Sequence, residues 1–151
     1  MMSSSTSVVI EASPEEVWAV LTDLPDYQRW NPVIRHIWGE LTVGGRVSFD
    51  ECHPGGLLLP LNVTSRVENA ELSWRKGPLG GRWIFQYDHR VQLQPDSQNP
   101  PRTVVTQTDQ LSGALAIFTP IGSLRKDSQR VGAALKVRTE ALNRADGGPL
   151  G

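Results

Sequence analysis

The sequence predicts an α+β fold in which a curved antiparallel β-sheet wraps around one long C-terminal α-helix, with two short helices after the first strand. Three observations predict it. Residues 33–112 carry apolar side chains at a period of two, interrupted by turn residues, as strands do. A cluster of helix-start signals surrounds Ser13, well before that stretch. After Pro120 the period becomes helical and stays so to the end of the long element. Segregation of this kind indicates an antiparallel sheet with helices to one side. A curved sheet and a single helix do not easily fill the space between them, so the layout tends to leave a cavity.

Each element has a local reason. Residues 6–11 form a short β-branched run and read as the first strand. Ser13 precedes Pro14, Glu15 and Glu16, which is an N-cap, a proline at the first helical position and acids in the first turn. Val17, Val20 and Leu21 follow at helical spacing, giving a helix over 14–23. Pro25 interrupts it, and a second short turn carrying Tyr27 and Trp30 runs to Asn31-Pro32. Gly44-Gly45 turns the chain into a strand at 46–51, and the turn at 53–56 leads to a longer strand at 57–67. Residues 68–70 connect tightly to 72–76, and Gly77-Pro78 opens another turn. The clearest strand is 82–94, where Trp83, Phe85, Tyr87, His89, Val91 and Leu93 alternate with mostly polar residues. A proline-containing loop leads to a last strand at 103–112. Ile121, Leu124, Ser128, Val131, Leu135 and Leu142 then share a helical stripe. The run after the first helices amounts to five to six strands.

The 151 residues suit one domain over 1–145, followed by a Gly/Pro-rich flexible tail at 146–151. A formal net charge of −1 argues against nucleic-acid binding, which needs a face rich in Lys and Arg. The 15 basic residues are scattered, with no run resembling a membrane-surface patch. The single cysteine, Cys52, allows no internal disulfide. No apolar run approaches the ~20 residues that span a bilayer, and no signal peptide is evident, so a cytoplasmic protein without membrane insertion is expected. A monomer and a homodimer are both compatible with the chain.

His89 is the leading candidate for chemistry. Alternation puts it on the bulky face of its strand, and on the last strand Val105, Gln107, Asp109 and Leu111 share one face. An inward His near an inward carboxylate can perform general acid–base work, or the two can simply satisfy each other inside an apolar pocket. Trp30, Phe49, Trp74, Trp83, Phe85 and Tyr87 are expected to divide between core and cavity lining, and their number favours a flat or ring-bearing ligand. Val63, Gln107, Leu111, Leu124, Val131 and Leu135 complete the expected lining. Glu51 and Arg75 point inward if their strands are regular and to solvent if a one-residue bulge intervenes, and the surface reading is preferred for both. Cys52 and His53 look like an adjacent nucleophile and base, but consecutive strand residues point to opposite faces, so they would meet only if the turn bends them together. His36, His53 and His89 share no metal-ligand spacing, no nucleotide motif is present, and no cofactor is implied. Gly113 with residues 114–119 could act as a gate or as an ordinary strand-to-helix connection. Leu57, Leu58 and Leu59 read either as strand core or as a contact loop.

Three stretches carry a family resemblance. Ile10-Glu11-Ala12-Ser13-Pro14-Glu15-Glu16-Val17-Trp18, Asp26-Tyr27-Gln28-Arg29-Trp30-Asn31-Pro32 and Gly132-Ala133-Ala134-Leu135-Lys136-Val137-Arg138-Thr139-Glu140 resemble the START/Bet v 1-like (SRPBCC) superfamily, in its polyketide cyclase/dehydrase-like branch. The resemblance runs over roughly residues 5–143 and implies a helix-grip fold around a ligand cavity. It also implies that Asp109 stands where the family often carries an acid. For a catalytic member it implies cyclisation or dehydration of a poly-β-keto chain, and for a non-catalytic one a lipid or metabolite carrier or sensor. A protein-interaction module is the third class left open, since a fold hosts many functions.

Overall fold

The computed structural model describes residues 1–51, 61–79, 83–96 and 101–145. Seven strands form one antiparallel sheet: β1 (Met2–Ile10), β2 (Ile34–Gly39), β3 (Arg46–Glu51), β4 (Leu61–Val67), β5 (Glu71–Leu79), β6 (Phe85–Asp96) and β7 (Arg102–Ser112). Their order is β1-β7-β6-β5-β4-β3-β2, so every neighbour except β1·β7 is also a neighbour in sequence. The sheet curls into a half-barrel, with helix α3 (Ile121–Ala145) as the grip and α1 (Pro14–Thr22) and α2 (Tyr27–Trp30) following the first strand. This is the helix-grip architecture the sequence predicts.

Local chemistry explains the helix starts. Ser13 and Glu16 form a reciprocal capping box, Glu16 N donating to Ser13 Oγ at 3.3 Å and Ser13 N to Glu16 Oε2 at 2.8 Å. Asn31 ends α2 and starts β2, its Oδ1 accepting from Val33 N at 2.9 Å and Ile34 N at 2.8 Å. Tyr27 is buried beneath that junction and donates its hydroxyl to the Leu21 carbonyl.

Tertiary pairing moved several boundaries. The first strand begins at Met2 rather than residue 6, because β7 pairs with it from Met2↔Leu111 through Ile10↔Thr103 and recruits the polar Ser3-Ser4-Ser5. The turn expected at Gly77-Pro78 falls inside β5. There a register shift between Lys76 and Leu79 absorbs the irregularity, and Gly77 takes a φ of +99° that a side chain would resist. The long strand starts at Phe85, with Trp83 and Ile84 in the preceding turn. Ile34–Gly39, which had no explicit strand of its own in the sequence reading, pairs with β3 and brings the run after the first helices to six. The expected turn at 53–56, the start of the 57–67 strand and the tail at 146–151 lie outside the described residues.

The core lies between the concave face and the helices. Ile10, Val17, Val47, Leu72, Val105 and Leu135 are each at most 1% exposed and belong to one contiguous cluster. Helix α3 is held over the sheet by polar ties as well as by packing. Lys136 Nζ donates to the Val9 carbonyl at 2.8 Å, and Arg138 Nη2 to Asp26 at 3.0 Å. No helix among the described residues is long and apolar enough to cross a membrane.

Candidate functional site

Register assembles the site. Strands β5, β6 and β7 place Trp74 opposite His89, and His89 opposite Asp109, in one cross-strand row. The inward pleat that sequence alternation predicts for His89 and Asp109 therefore also makes them direct partners. His89 Nδ1 lies 2.7 Å from Asp109 Oδ1. The Trp74 ring stacks on the imidazole with centroids 5.4 Å apart and planes 20° apart.

Asp109 is 2% exposed and has two further donors. Tyr87 Oη donates to Oδ1 at 2.6 Å and Ser128 Oγ to Oδ2 at 2.7 Å. Burial alone would raise this carboxyl, but the hydrogen bond and charge of His89, with the hydroxyls of Tyr87 and Ser128, hold it below its ordinary value. Asp109 is thus a carboxylate, and the His89 nitrogen facing it carries the proton. Nε2 is left as the imidazole's basic atom, with no hydrogen-bond partner among the described residues.

Ser128 comes from α3, so the carboxylate ties the helix to the sheet. The tie is doubled by Gln107, whose Nε2 donates to the Ser128 carbonyl at 2.8 Å. Gly132 makes room for it, since a Cβ there would lie 3.1 Å from that Nε2.

Beside this network a pocket of about 130 Å³ opens between sheet and helix. Of the residues expected to line it, Trp30, Phe49, Trp74 and Tyr87 contribute rings. Leu124, Val131 and Leu135 contribute the α3 face, and Gln107 an amide. His89 is on the wall, its side chain 11% exposed, while Asp109 sits behind it. Four expected residues are not on the wall. Val63 and Leu111 are buried in packing away from it, and Phe85 is half-buried at the start of β6. Trp83 is 76% exposed, because β6 begins two residues after it and the alternation of the strand does not reach it.

The sequence pattern does not mark Ser128 and Asn31 as wall residues, nor Tyr87 as a hydrogen-bond donor. A signal for Ser128 existed, as it is the one hydroxyl in the otherwise apolar stripe of α3.

The remaining candidates fall elsewhere. Arg75 points away from the pocket and pairs with Asp88 at 2.6 Å. His36 is exposed, 3.8 Å from Asp50. The side chain of Glu51, Cys52, His53 and the Leu57–Leu59 triplet lie outside the described residues. Gly113, at φ +100°, leads into a 3₁₀ turn at Ala114–Phe118 with Ala116 buried. Among the described residues no group of three His, Cys, Asp or Glu side chains is placed to hold a metal.

Residues 1–142 match the family model described as polyketide cyclase / dehydrase and lipid transport. No curated protein matches the chain. Among solved structures it is similar to a hypothetical protein of Helicobacter pylori, with a TM-score of 0.72 and 16% identity over 91% of this chain and 88% of that one. A START superfamily protein of Mycobacterium smegmatis is similar at a TM-score of 0.67 and 20% identity, over 93% and 98% of the two chains. A protein of the dynemicin biosynthetic locus is similar at 0.69 and 18%, over 91% of this chain and 47% of that one. At such identities the structural likeness establishes the fold, and the family match covers nearly the whole length. The chain belongs to the polyketide cyclase / dehydrase and lipid transport family.

Proposed function

We propose that the chain binds a small, flat, apolar molecule between the sheet and α3, and that His89, oriented by Asp109, moves protons on it. The observation that carries the reading is the pairing of a ring-lined pocket with an imidazole whose Nδ1 is engaged by a buried carboxylate. That arrangement leaves Nε2 basic and stabilises the imidazolium formed when it accepts a proton. The size supports a ligand of about one ring, since an apolar cavity of about 150 Å³ accommodates benzene. In a polyketide setting the pocket would hold the ring-forming segment rather than the whole chain, and exclusion of water would favour enolisation at the held carbon.

A second reading, a non-catalytic carrier or sensor, has an observation of its own. Both oxygens of Asp109 are satisfied within the protein, as in a purely structural network.

The discriminating experiment follows deuterium exchange at the acidic C–H of a bound single-ring β-diketone by NMR. The catalytic reading expects exchange well above the solution rate, lost in His89→Gln while affinity and fold persist. Binding without accelerated exchange supports the carrier. Failure of native mass spectrometry to detect any of a graded set of one- and two-ring ligands would remove both.

A further inference from the structure

The connection from β7 to α3 and the turn before β6 form one surface. Ala114 N donates to the Trp83 carbonyl at 2.8 Å and Leu115 N to the Ile84 carbonyl at 2.9 Å. Gly113 permits the approach, since a Cβ there would lie 2.5 Å from the Ile84 carbonyl. On this scaffold Trp83 is 76% exposed, Ile84 41%, Leu115 48%, Ile117 74% and Phe118 77%. They are five of the eleven large apolar side chains exposed among the described residues, and two short hydrogen-bonded segments hold them all. The other six are spread along the chain, which is ordinary for a protein surface. A concentration of this kind marks an interaction site.

The charge beside it indicates the partner. Residues 113–126 contain two basic side chains, Arg125 and Lys126, and no acid. Both are exposed, and neither is ion-paired among the described residues. Exposed Trp and Phe with aliphatic neighbours, edged by cations that have no ion-pair partner among the described residues, match a bilayer interface, where rings settle at headgroup depth and Lys and Arg meet anionic lipid. No run of consecutive residues reveals this surface, because its apolar half comes from two segments about 30 residues apart.

We infer that the Trp83–Ile84 turn and the Ala114–Phe118 turn together dock the protein on an anionic phospholipid surface, without spanning it. The inference does not depend on the identity of the pocket's ligand.

Flotation with vesicles of phosphatidylcholine alone, and with about one third phosphatidylglycerol, tests it on the full chain. Wild type should float with the anionic vesicles. Ile117→Ser with Phe118→Ser should reduce the bound fraction by about tenfold or more, as expected for losing two buried apolar side chains. Arg125→Glu with Lys126→Glu should weaken binding at low salt and flatten its salt dependence. All four side chains are peripheral, so melting temperatures should stay close to wild type. A wild type that floats with neither vesicle overturns the inference. So does binding that survives Ile117→Ser/Phe118→Ser, or a dimer that these substitutions dissociate while wild type ignores both vesicles; the last outcome would make the surface a contact between copies.

Discussion

Asp109, on β7, accepts from three side chains that reach it from strand β6 and helix α3, and this makes it the most exacting residue in the protein. Replacing it with Asn keeps the shape but sets an amide N–H₂ against hydroxyl and imidazole donors. Asp109→Asn should therefore cost about 1–3 kcal/mol at neutral pH, measured by urea denaturation. The pH dependence has a definite sign. A carboxyl held below its ordinary value stabilises the fold fully above that value, near pH 4, and loses the contribution as pH falls through its lower folded value. The stability gap between wild type and Asp109→Asn should be present at neutral pH and narrow below about 4. A gap that stayed unchanged at pH 3 would contradict the assignment of Asp109 as an ionised acceptor. His89 and Asp109 were both legible as inward residues, since the pleat alternates locally. Ser128 was legible as part of the α3 stripe but not as a partner of Asp109, because whether a helix hydroxyl meets a carboxylate about 20 residues earlier depends on how the helix lies over the sheet.

The helices and turns obey local rules whose contributions can be tested singly. The capping box at Ser13 satisfies two backbone donors, so Ser13→Ala should lower stability by about 1 kcal/mol without affecting ligand binding. Gly113 is a stricter case. Its φ of +100° and the 2.5 Å approach to Ile84 leave no room for a Cβ, so Gly113→Ala should destabilise by about 1–3 kcal/mol and loosen the Trp83 turn together with the 114–118 turn. Faster amide exchange in both segments would confirm that they move as one. The start of α1 was readable from Ser13-Pro14-Glu15-Glu16, since a cap is built within four residues. The start of β6 was misplaced at residue 82, because Trp83 keeps the phase of Phe85 and Tyr87, whereas the backbone bonds from Ala114 and Leu115 hold Trp83 and Ile84 in a turn.

Across the whole molecule, core and pocket share the concave face but respond differently to substitution. Leu72 is fully buried in β5 and is not on the pocket wall, so Leu72→Ala should cost about 2–5 kcal/mol while leaving ligand affinity largely intact. Val131 is half-buried on the wall, and Val131→Phe should do the reverse, filling the cavity and abolishing binding with little loss of stability. Calorimetric melting read beside ligand titration separates the two. If both variants lost stability and affinity in parallel, the space beside His89 would be part of the packed core rather than a binding cavity.

What the sequence determined by itself is whatever is written over a few consecutive residues: the caps, the change of period from two to helical, the inward placement of His89 and Asp109 on their strands, and from these the order of elements and an α+β class with an antiparallel sheet. The tertiary structure decided which residues meet. Pairing with β7 drew Ser3–Ser5 into a strand, register set Trp74, His89 and Asp109 in one row, and α3 brought Ser128 to the carboxylate. It also left Trp83 on the surface with Phe118. The physical reason is that a side chain's direction follows from its own backbone, whereas its partners are chosen by strand register and helix placement, which depend on the packing energy of the chain as a whole.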